Sequence, residues 1–446
     1  MLARWIYSLL LIMAAPLALG LLMWRRRASQ DDWQALAAER FGFYPQPWDG
    51  APPIWIHAVS VGEVRAAAPL IKALILKGDT VLLTHFTPTG RTEGQRLLAQ
   101  EIHDGRVRQQ WVPYDLASAM CRFLNHFQPR LALLVEREVW PNLVHTTHMA
   151  GVPVVLVSAR LSERSLTQAV WINRLFGGLL HDTYGELELA LAQTPEDGQR
   201  LFDSGVSKII ISGNLKFDID VPLVAVEAGE HWRTRLNRPV ITIASTREGE
   251  DKLFVPLIAA NLKPMPAGER PLYILIPRHP QRFDDAARLL DAHQLRYARW
   301  SMLADDPQSD EALKKQDVVL GDTMGELPFF YGVADVAIVG GSFENHGGQN
   351  FIEACAIGTP VIVGPHTRNF AHAVQGAVAA GALVQVKTAA QAIERALLWL
   401  EDPDSATTVG LTGKAWVSDH VGATKRIVQA LTELEAVRVK PSGLAR

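Results

Sequence analysis

Short apolar runs rich in β-branched residues alternate with longer stretches of helical periodicity along most of the chain. This alternation predicts an α/β protein whose parallel sheets carry helices on both faces. The predicted strands are Ile54–Val59, Thr80–Thr84, Leu131–Val135, Val152–Val157, Ile209–Ser212, Val240–Ala244, Leu272–Ile276, Val318–Leu320, Val336–Val339 and Pro360–Val363. The predicted helices include Val64–Leu76, Leu116–Phe127, Glu250–Ala260, Asp284–Ala292, Phe351–Ala356 and Ala389–Leu400.

The length of the chain predicts more than one domain. Its 446 residues exceed what a single hydrophobic core usually fills. The composition changes at residues 217–230, which hold four acidic residues, a proline and a glycine, and we predict a linker there. We therefore expect two Rossmann-like domains facing each other across a cleft. The predicted divisions are residues 1–27, 28–222, 223–420 and 421–446, the last being a C-terminal helix and tail.

The N-terminal segment has the composition of a membrane anchor. No charged residue lies between Trp5 and Trp24, and twenty helical residues extend about 30 Å, the thickness of one bilayer core. Three arginines, Arg25–Arg27, follow at once and predict that the rest of the protein is cytoplasmic. A cleaved signal peptide is the alternative, but no small-residue cleavage site follows the apolar run. Pro16 and Gly20 leave open whether the segment crosses the bilayer or enters one leaflet.

Composition excludes some functions. A net charge of −3 gives no indication of nucleic acid binding. The two cysteines, Cys121 and Cys355, lack metal-ligand spacing and favour a reducing compartment. His145 and His148 lie three residues apart without an evident third ligand. We therefore expect neither a metal nor a resident cofactor.

The segment from Pro53 to Arg65 contains a candidate catalytic carboxylate. An apolar strand leads to Gly62, and Glu63 then opens a long helix. This order predicts a carboxylate at the carboxyl edge of a sheet, where open α/β folds bind their ligands. The alternative is that Glu63 only complements the helix dipole.

Residues 335–353 have the features of a nucleotide site. A buried strand ends at Gly340–Gly341, and a polar loop with Gly347–Gly348 leads into a helix. Glycines let the backbone approach a phosphate, and a helix N-terminus supplies free N–H donors. Glu353, one turn into the helix, could accept hydrogen bonds from ribose hydroxyls. The spacing matches neither a dinucleotide nor a Walker motif, and a plain turn is the alternative.

Further polar loops follow other predicted strands. Ile276–Pro280, Asp322–Leu327 and Gly364–Phe370 belong to the second half and suggest a nucleotide site at one sheet edge, although each alone could be an ordinary loop. In the first half, Glu136–Asn142 offers two carboxylates and an arginine for acid/base chemistry or substrate binding, or a salt-bridged helix start. Lys216 follows the last strand of that half and could offset negative charge.

Together these segments resemble the 3-deoxy-D-manno-octulosonic acid (Kdo) transferases of lipopolysaccharide synthesis, membrane-anchored glycosyltransferases with the two-domain GT-B fold. The resemblance covers nearly the whole chain and keeps the motifs in order. Glu136–Asn142 is similar to the family's Glu-Thr-Glu-Leu-Trp-Pro-Asn segment. The other matching segments are His57–Glu63, Gly213–Asp218, Arg278–Pro280, Met324–Glu326 and Asn350–Glu353.

The resemblance implies roles for individual residues. Glu63 is the implied catalytic base, with Glu136 and Glu138 nearby and Lys216 stabilising the transition state. The implied contacts to the CMP moiety are Arg278, His279, Met324, Gly325, Glu326, Asn350, Phe351, Ile352 and Glu353.

Four positions depart from the family pattern. Arg137 stands where threonine is usual, and Arg247 replaces a common histidine. Phe351 and Ala354 replace prolines. These differences bear on substrate specificity more than on the reaction.

The resemblance also implies the reaction. Kdo would pass with inversion from CMP-Kdo to a lipid A precursor, lipid IVA, at the cytoplasmic side of the bacterial inner membrane. Residues 28–222 would then bind the acceptor, and residues 223–420 the CMP-sugar. The donor carries a single phosphate rather than a diphosphate, which argues against a required metal. The alternatives are a GT-B transferase that uses a UDP-sugar and a membrane acceptor, and a non-catalytic, membrane-tethered nucleotide-binding protein.

Overall fold

The chain folds into two compact units. The first comprises Met1–Asp218 and Val421–Arg446, and the second comprises Ile219–His420. The computed structural model describes residues 3–13, 38–163, 166–167, 173, 177–262, 265, 270–303, 313 and 315–439.

A parallel sheet forms the centre of the first unit. Its strands are β1 (Ile54–His57), β2 (Val81–His85), β3 (Val107–Trp111), β4 (Leu131–Val135), β5 (Val154–Ala159), β6 (Leu189–Ala192) and β7 (Ile209–Ile211). In the described residues these seven strands lie in the order β3-β2-β1-β4-β5-β6-β7. The central strands are buried along their whole length, since a parallel sheet carries helices on both faces.

Helices cover this sheet on two sides. Ile54 and Ile56 pack with Leu70 in one core, whereas Trp55 packs with Phe123 in the other, because successive side chains of a strand point to opposite faces. The described helices before residue 218 are α1 (residues 3–13), α2 (Val61–Leu76), α3 (Pro88–Leu97), α4 (Ala99–His103), α5 (Ala117–Phe127), α6 (Pro141–Met149), α7 (Leu179–Gly185) and α8 (Pro195–Asp203).

The second unit repeats this architecture. Its strands are β8 (Val240–Thr246), β9 (Leu272–Pro277), β10 (Tyr297–Arg299), β11 (Val318–Leu320), β12 (Val336–Val339), β13 (Val361–Val363) and β14 (Val384–Gln385). In the described residues they form a parallel sheet in the order β10-β11-β9-β8-β12-β13-β14. Its helices are α9 (Leu223–Leu236), α10 (Glu250–Leu262), α11 (Phe283–Ala292), α12 (Leu327–Val333), α13 (Ile352–Ile357), α14 (Ala371–Ala379), α15 (Ala389–Glu401) and α16 (Pro403–His420). The prediction of an α/β protein with two Rossmann-like domains is confirmed.

Most of the predicted strands are observed with small shifts. Leu131–Val135, Val318–Leu320 and Val336–Val339 have the predicted bounds, and the other seven differ by one or two residues at one or both ends. The sequence analysis missed β3, β6, β10 and β14. The polar residues within β3 and the Leu-Ala repeat of β6 give little strand signal, and β10 and β14 are short strands at sheet edges.

The predicted linker at residues 217–230 is wrong over most of its length. The chain passes from one unit to the other after Asp218, but α9 begins at Leu223. Val226 and Trp232 lie on the buried face of this helix, a helical spacing that the change in composition concealed.

The predicted membrane anchor falls mainly outside the described residues. Residues 3–13 form α1, whereas residues 14–37 are not described. Among the helices that are described, none combines the length and the apolar character needed to cross a bilayer.

The chain returns to the first unit in a final helix, α17 (Ala423–Val439). Ile427 and Leu431 of this helix join the core beneath α2, so residues from both ends of the chain build one domain. The Asp218 carboxylate accepts hydrogen bonds from the backbone N–H groups of Gly422, at 2.6 Å, and of Thr424. One side chain therefore ties the point where the chain leaves the first unit to the point where it re-enters.

We expect Asp218→Ala to loosen the start of α17, because the exposed N–H groups of the first turn lose their acceptor. Loss of such a cap costs about 1–2 kcal/mol, or roughly a five- to thirtyfold change in local opening. Hydrogen exchange of the amides in the first turn of α17 measures it. Asp220→Ala removes an exposed carboxylate two residues away and is the control. Equal exchange in both variants would contradict the capping role.

Candidate active site

The order of the strands reverses at β1 in the first unit, and such a reversal creates a crevice at the carboxyl edge of a sheet. The chain passes from β1 to β2 on one side and later adds β4 on the other side of β1. The loops after β1 and β4 therefore diverge in opposite directions at the carboxyl edge of the sheet, where open α/β folds bind ligands. Glu63 follows β1, and Glu136 and Glu138 follow β4.

Glu63 belongs to a capping box at the start of α2. The Ser60 side chain accepts a hydrogen bond from the Glu63 N–H, and the Glu63 carboxylate accepts from Val59 N at 2.6 Å and Ser60 N at 3.3 Å. This arrangement satisfies N–H groups that a helix start leaves without partners. Glu63 thus has the structural role that the sequence analysis raised as its alternative.

The electrostatic environment of Glu63 goes beyond capping. Burial raises its pKa to about 7, and the negative charges of Glu138 and Glu136 act in the same direction against the two backbone hydrogen bonds. A carboxylate with a pKa near neutrality can exchange a proton at physiological pH. A first-turn glutamate that only capped a helix would need no such shift.

Glu136 has a different environment although it lies close by. Its carboxylate is 2.6 Å from Lys216 Nζ and 2.8 Å from Arg160 Nε, and the residue is 4% exposed. Burial would raise its pKa, but Lys216 and Arg160 outweigh burial and lower it. Glu136 therefore stays ionised, and both of its oxygens hold cations. This geometry suits the positioning of Lys216 and Arg160 better than proton transfer.

The backbone at Glu136 is also unusual. Its φ is +59°, in the left-handed region that few non-glycine residues adopt. Glu136 N donates to Val157 O, and Arg160 N donates to Glu136 O, which fixes this conformation against the end of β5. The cost of the backbone geometry is offset by hydrogen bonds that aim the carboxylate at its two cations.

Glu138 is the third carboxylate of this edge. It accepts a hydrogen bond from Trp140 Nε1 at 2.9 Å, and burial raises its pKa despite this bond. The ring of Trp140 packs edge-on against His57, with centroids 5.1 Å apart. His57 is fully buried and its pKa falls to about 3 because of burial, so it stays neutral and is not a proton carrier near pH 7. Trp140 therefore connects the Glu138 carboxylate to the buried ring of His57.

A corresponding reversal of strand order occurs in the second unit between β8 and β12. Glu250, in the first turn of α10 after β8, is fully buried. Its carboxylate accepts from the N–H groups of Arg247 at 2.8 Å, Gly341 at 2.6 Å and Phe343 at 2.8 Å. Glu250 therefore shapes the glycine-rich loop after β12. A Cβ at Gly340 would lie 2.8 Å from Thr246 Cα, which explains the glycine there.

A second buried acid organises the adjacent loop after β9. Asp251 accepts hydrogen bonds from Thr246 Oγ1 and from the Arg282 guanidinium. Arg278 N donates to Thr246 O at 2.9 Å, so Arg278 and His279 start from a fixed backbone. Burial and the cationic neighbours lower the pKa of His279, which keeps this ring neutral near pH 7.

The remaining predicted nucleotide contacts differ in how far their side chains are exposed. Met324 is 53% exposed, and Gly325 has a φ of +91° in the turn before Glu326. Phe351 and Ile352 are buried at 1% and 0% exposure, so they can offer a ligand only their backbone.

Asn350 and Glu353 form a local pair. Asn350 Nδ2 donates to Glu353 Oε1 at 2.9 Å, and Asn350 Oδ1 accepts from Ile352 N. The pair closes the turn into α13 and fixes the direction of the Glu353 carboxylate.

Two groups of predicted residues are therefore each brought to one sheet edge. Glu63, Glu136, Glu138 and Lys216 belong to the first unit, and the predicted nucleotide contacts follow strands β9, β11 and β12 of the second. Within the described residues, no group of three or more His, Cys, Asp or Glu side chains could hold a metal ion.

The sequence analysis missed two residues of these sites. Arg160 lies three residues after the predicted strand Val152–Val157 and directly after the observed β5, and its place near the carboxyl end of a predicted strand was a usable signal. Glu250 was included in a predicted helix without a function. Its position after the first strand of its unit matches that of Glu63, and this repetition was the available signal.

Comparison with known proteins agrees with this architecture. Solved structures with the same fold include a UDP-GlcNAc 2-epimerase from Neisseria meningitidis (TM-score 0.55, 18% identity, 86% of this chain and 100% of that chain). A glycosyltransferase from Rickettsia africae is also similar (TM-score 0.53, 14% identity, 88% and 100% covered). At this level of identity the likeness concerns the fold alone.

Family models and sequence relatives identify the family of this chain, whereas the solved structures show only its fold. Residues 36–219 match the family described as 3-deoxy-D-manno-octulosonic-acid transferase, and residues 307–416 match glycosyl transferases group 1. The 3-deoxy-D-manno-octulosonic acid transferase of Bordetella pertussis is 48% identical over 96% of this chain and 99% of its own length. That of Haemophilus influenzae is 33% identical over 96% and 98%. The protein is thus a glycosyltransferase by class. It belongs to the 3-deoxy-D-manno-octulosonic acid transferase family, as the sequence motifs predicted.

We expect Glu250→Gln to weaken CMP binding, because an amide offers one acceptor oxygen and turns N–H donors toward backbone N–H groups. An unsatisfied buried group costs about 1–3 kcal/mol, and part of this should appear as distortion of the loop after β12. Calorimetric titration with CMP measures the effect. Glu248→Gln, at the exposed neighbouring carboxylate, is the matched control. Unchanged CMP affinity in Glu250→Gln would show that the loop does not need this carboxylate.

The raised pKa of Glu63 predicts a pH dependence of stability. A carboxyl whose folded-state pKa lies above its unfolded value destabilises the folded protein as pH rises from about 4.5 through 7. The free energy of unfolding of Glu63→Gln, taken relative to that of the wild type, should therefore be higher at pH 8 than at pH 5, by about 1–3 kcal/mol. Unfolding in denaturant at the two pH values measures this difference.

Glu93→Gln is the control for this experiment. Burial would raise the pKa of Glu93, but Arg96 and Arg65 lower it to about 2, so its contribution changes only below about pH 4.5. Its stability relative to the wild type should be the same at pH 5 and pH 8. If Glu63→Gln behaved in the same way, the pKa of Glu63 would be normal.

Proposed function

We propose that this protein transfers Kdo from CMP-Kdo to a hydroxyl group of a lipid A precursor in lipopolysaccharide synthesis. The observation that carries the proposal is Glu63, a carboxylate poised near neutral pKa at the topological crevice of the first unit, in a chain of the Kdo transferase family. The names of the relatives supply the sugar, and the site supplies the means of transferring it.

Glu63 is the general base of the proposed reaction. Its ionised form takes the proton from the acceptor hydroxyl as the oxygen attacks the ketosidic carbon of Kdo, and the bond to the CMP phosphate breaks. A pKa near 7 leaves a substantial ionised fraction in the cell and gives the protonated product acid a favourable energy. Attack from the face opposite to CMP inverts the configuration.

Lys216 and Arg160 supply positive charge in the first unit. Kdo carries its own carboxylate, and the transition state develops further negative charge on the departing phosphate. Glu136 holds both cations by direct ion pairs, so they need no rearrangement during reaction. Glu136 is accordingly a positioning residue for these cations.

The second unit binds the nucleotide in this proposal. The glycine-rich loop shaped by Glu250 offers backbone N–H groups to a single phosphate, and Arg278 adds a cation. The Asn350–Glu353 pair is suited to the ribose hydroxyls, since a fixed carboxylate accepts hydrogen bonds from both.

A membrane location follows from the acceptor rather than from the fold. A lipid A precursor lies in a bilayer, and the cytoplasmic side of the inner membrane is where a CMP-sugar is available. The uncharged sequence from Trp5 to Trp24, followed by Arg25–Arg27, supports an N-terminal anchor there.

The proposed function is tested with Glu63→Gln. Glutamine keeps the capping hydrogen bonds but cannot take a proton, so we expect transfer to fall by about 10²–10⁴-fold with CMP affinity unchanged. Transfer is measured with CMP-Kdo and a lipid A precursor in mixed micelles. Glu93→Gln, a glutamate of the neighbouring helix, is the control and should retain its activity.

Three outcomes would contradict the proposal. Near-normal turnover by Glu63→Gln would remove Glu63 as the base. Tighter binding of UDP than of CMP by the wild type would favour a transferase of a different sugar, and binding of CMP without any transfer would favour a nucleotide-binding protein.

A further inference from the structure

Helix α1 contacts the first unit through a stripe of polar side chains. Arg4 forms an ion pair with Glu186 at 3.2 Å, and the Tyr7 hydroxyl donates to Asp115 Oδ2 at 2.8 Å. The Ser8 hydroxyl donates to Asn142 Oδ1 at 3.1 Å. Positions 4, 7 and 8 have the spacing of one helix face, so α1 lies alongside the unit over about one turn.

The opposite face of α1 is apolar and uncovered. Its exposed side chains are Trp5 at 75%, Ile6 at 42%, Leu9 at 57%, Leu10 at 48%, Ile12 at 58% and Met13 at 65%. This distribution is the reverse of an ordinary surface helix, which turns its apolar face to the protein and its polar face to water. An apolar partner would therefore stabilise the outer face of α1 more than water does.

The docked face limits how α1 can enter a bilayer. A helix crossing the membrane along this length would carry Asp115 and Glu186 toward the hydrocarbon core, because α1 is bonded to both. Charged and polar groups at that depth are strongly unfavourable. Only an orientation along the membrane surface leaves these groups in water or among lipid head groups.

We propose that residues 3–13 are a one-leaflet anchor: α1 lies in the plane of the membrane, with Trp5, Leu9 and Ile12 in the lipid and its Arg4, Tyr7 and Ser8 face bonded to the first unit. The outward face holds no charged residue, which suits acyl chains. Trp5 lies at the first turn, and tryptophan is the side chain that bilayer interfaces favour.

A lipid leaflet fits this face better than a second protein copy. The apolar sequence continues without a charge to Trp24 and is followed by three arginines, a composition that favours a membrane with anionic lipids. The choice also rests on the proposed function, whose acceptor is a lipid. The depth measurement below needs no substrate, so it can fail while the assigned reaction stands.

The docking contacts also connect the membrane face to the candidate active site. Asp115 accepts hydrogen bonds from Asn142 N at 3.2 Å and Leu143 N at 2.7 Å in the first turn of α6. This helix directly follows the loop that carries Glu138 and Trp140. An anchor held at Asp115 and Asn142 therefore presents that loop to the membrane surface, where the head group of a lipid acceptor lies.

Site-directed spin labels on the full-length protein test the inference. Cys121, the exposed cysteine, is first replaced by serine, whereas Cys355 is buried and left in place. Single cysteines at positions 5, 9 and 12 are labelled, and their depth is measured by power saturation in vesicles of phosphatidylglycerol and phosphatidylethanolamine. We expect all three labels at one shallow depth, since they share a helix face. A label at Leu76, an 89% exposed residue of α2, is the control and should remain in water.

Other depth profiles would overturn the proposal. A crossing helix would give a depth that changes by about 1.5 Å per residue, or roughly 10 Å between positions 5 and 12. Labels without lipid contact but with spin–spin coupling between copies would indicate a protein interface instead.

Vesicle flotation gives an independent measurement. Leu9→Glu should lower the vesicle-bound fraction about tenfold or more, because a charge replaces a buried apolar side chain, and Leu76→Glu should leave it unchanged. Retained CMP binding verifies that both variants are folded. Equal flotation of both variants would contradict a lipid role for the outer face of α1.

Discussion

Carboxylates that accept hydrogen bonds from backbone N–H groups hold the loops of this protein in place. Each parallel strand ends at the same edge as its neighbours, and the chain there must turn into a helix whose first N–H groups have no partner. Asp115 and Asp218 accept hydrogen bonds from such groups at helix starts, whereas Glu63 and Glu250 accept them from backbone N–H groups of the adjoining loops. The candidate sites, the crossing between the units and the docking of α1 all depend on these contacts.

The two units use the same position for different purposes. Glu63 and Glu250 both lie in the first turn of the helix that follows the first strand of their unit. Glu250 is enclosed and bonded to several N–H groups, so it shapes a loop. Glu63 has fewer such bonds, and burial together with two carboxylate neighbours raises the free energy of its ionised form. The same structural position thus has a raised pKa in the first unit because of the surroundings of the carboxylate.

Sequence patterns predicted the sheets well because buried parallel strands are continuous apolar runs, as in Leu131–Val135. They failed where burial does not need such a run, as in β3 with its glutamines, or where helix signals were hidden by composition, as at Leu223–Leu236. Glu63 could be found from its place after a strand. The ion pairs of Glu136 could not, because Arg160 and Lys216 come from distant segments that only the folded sheet brings together.

The polar face of α1, which contacts the first unit, has a consequence for how the chain could change during evolution. Removal of a packed helix from a domain usually exposes an apolar surface, and a large exposed apolar surface favours aggregation. Beneath α1 lie Asp115, Asn142 and Glu186, groups that water can solvate as well as Tyr7, Ser8 and Arg4 do. Helix α1 is therefore separable from the rest of the first unit, and evolution could lengthen, replace or lose it without redesigning the core beneath it.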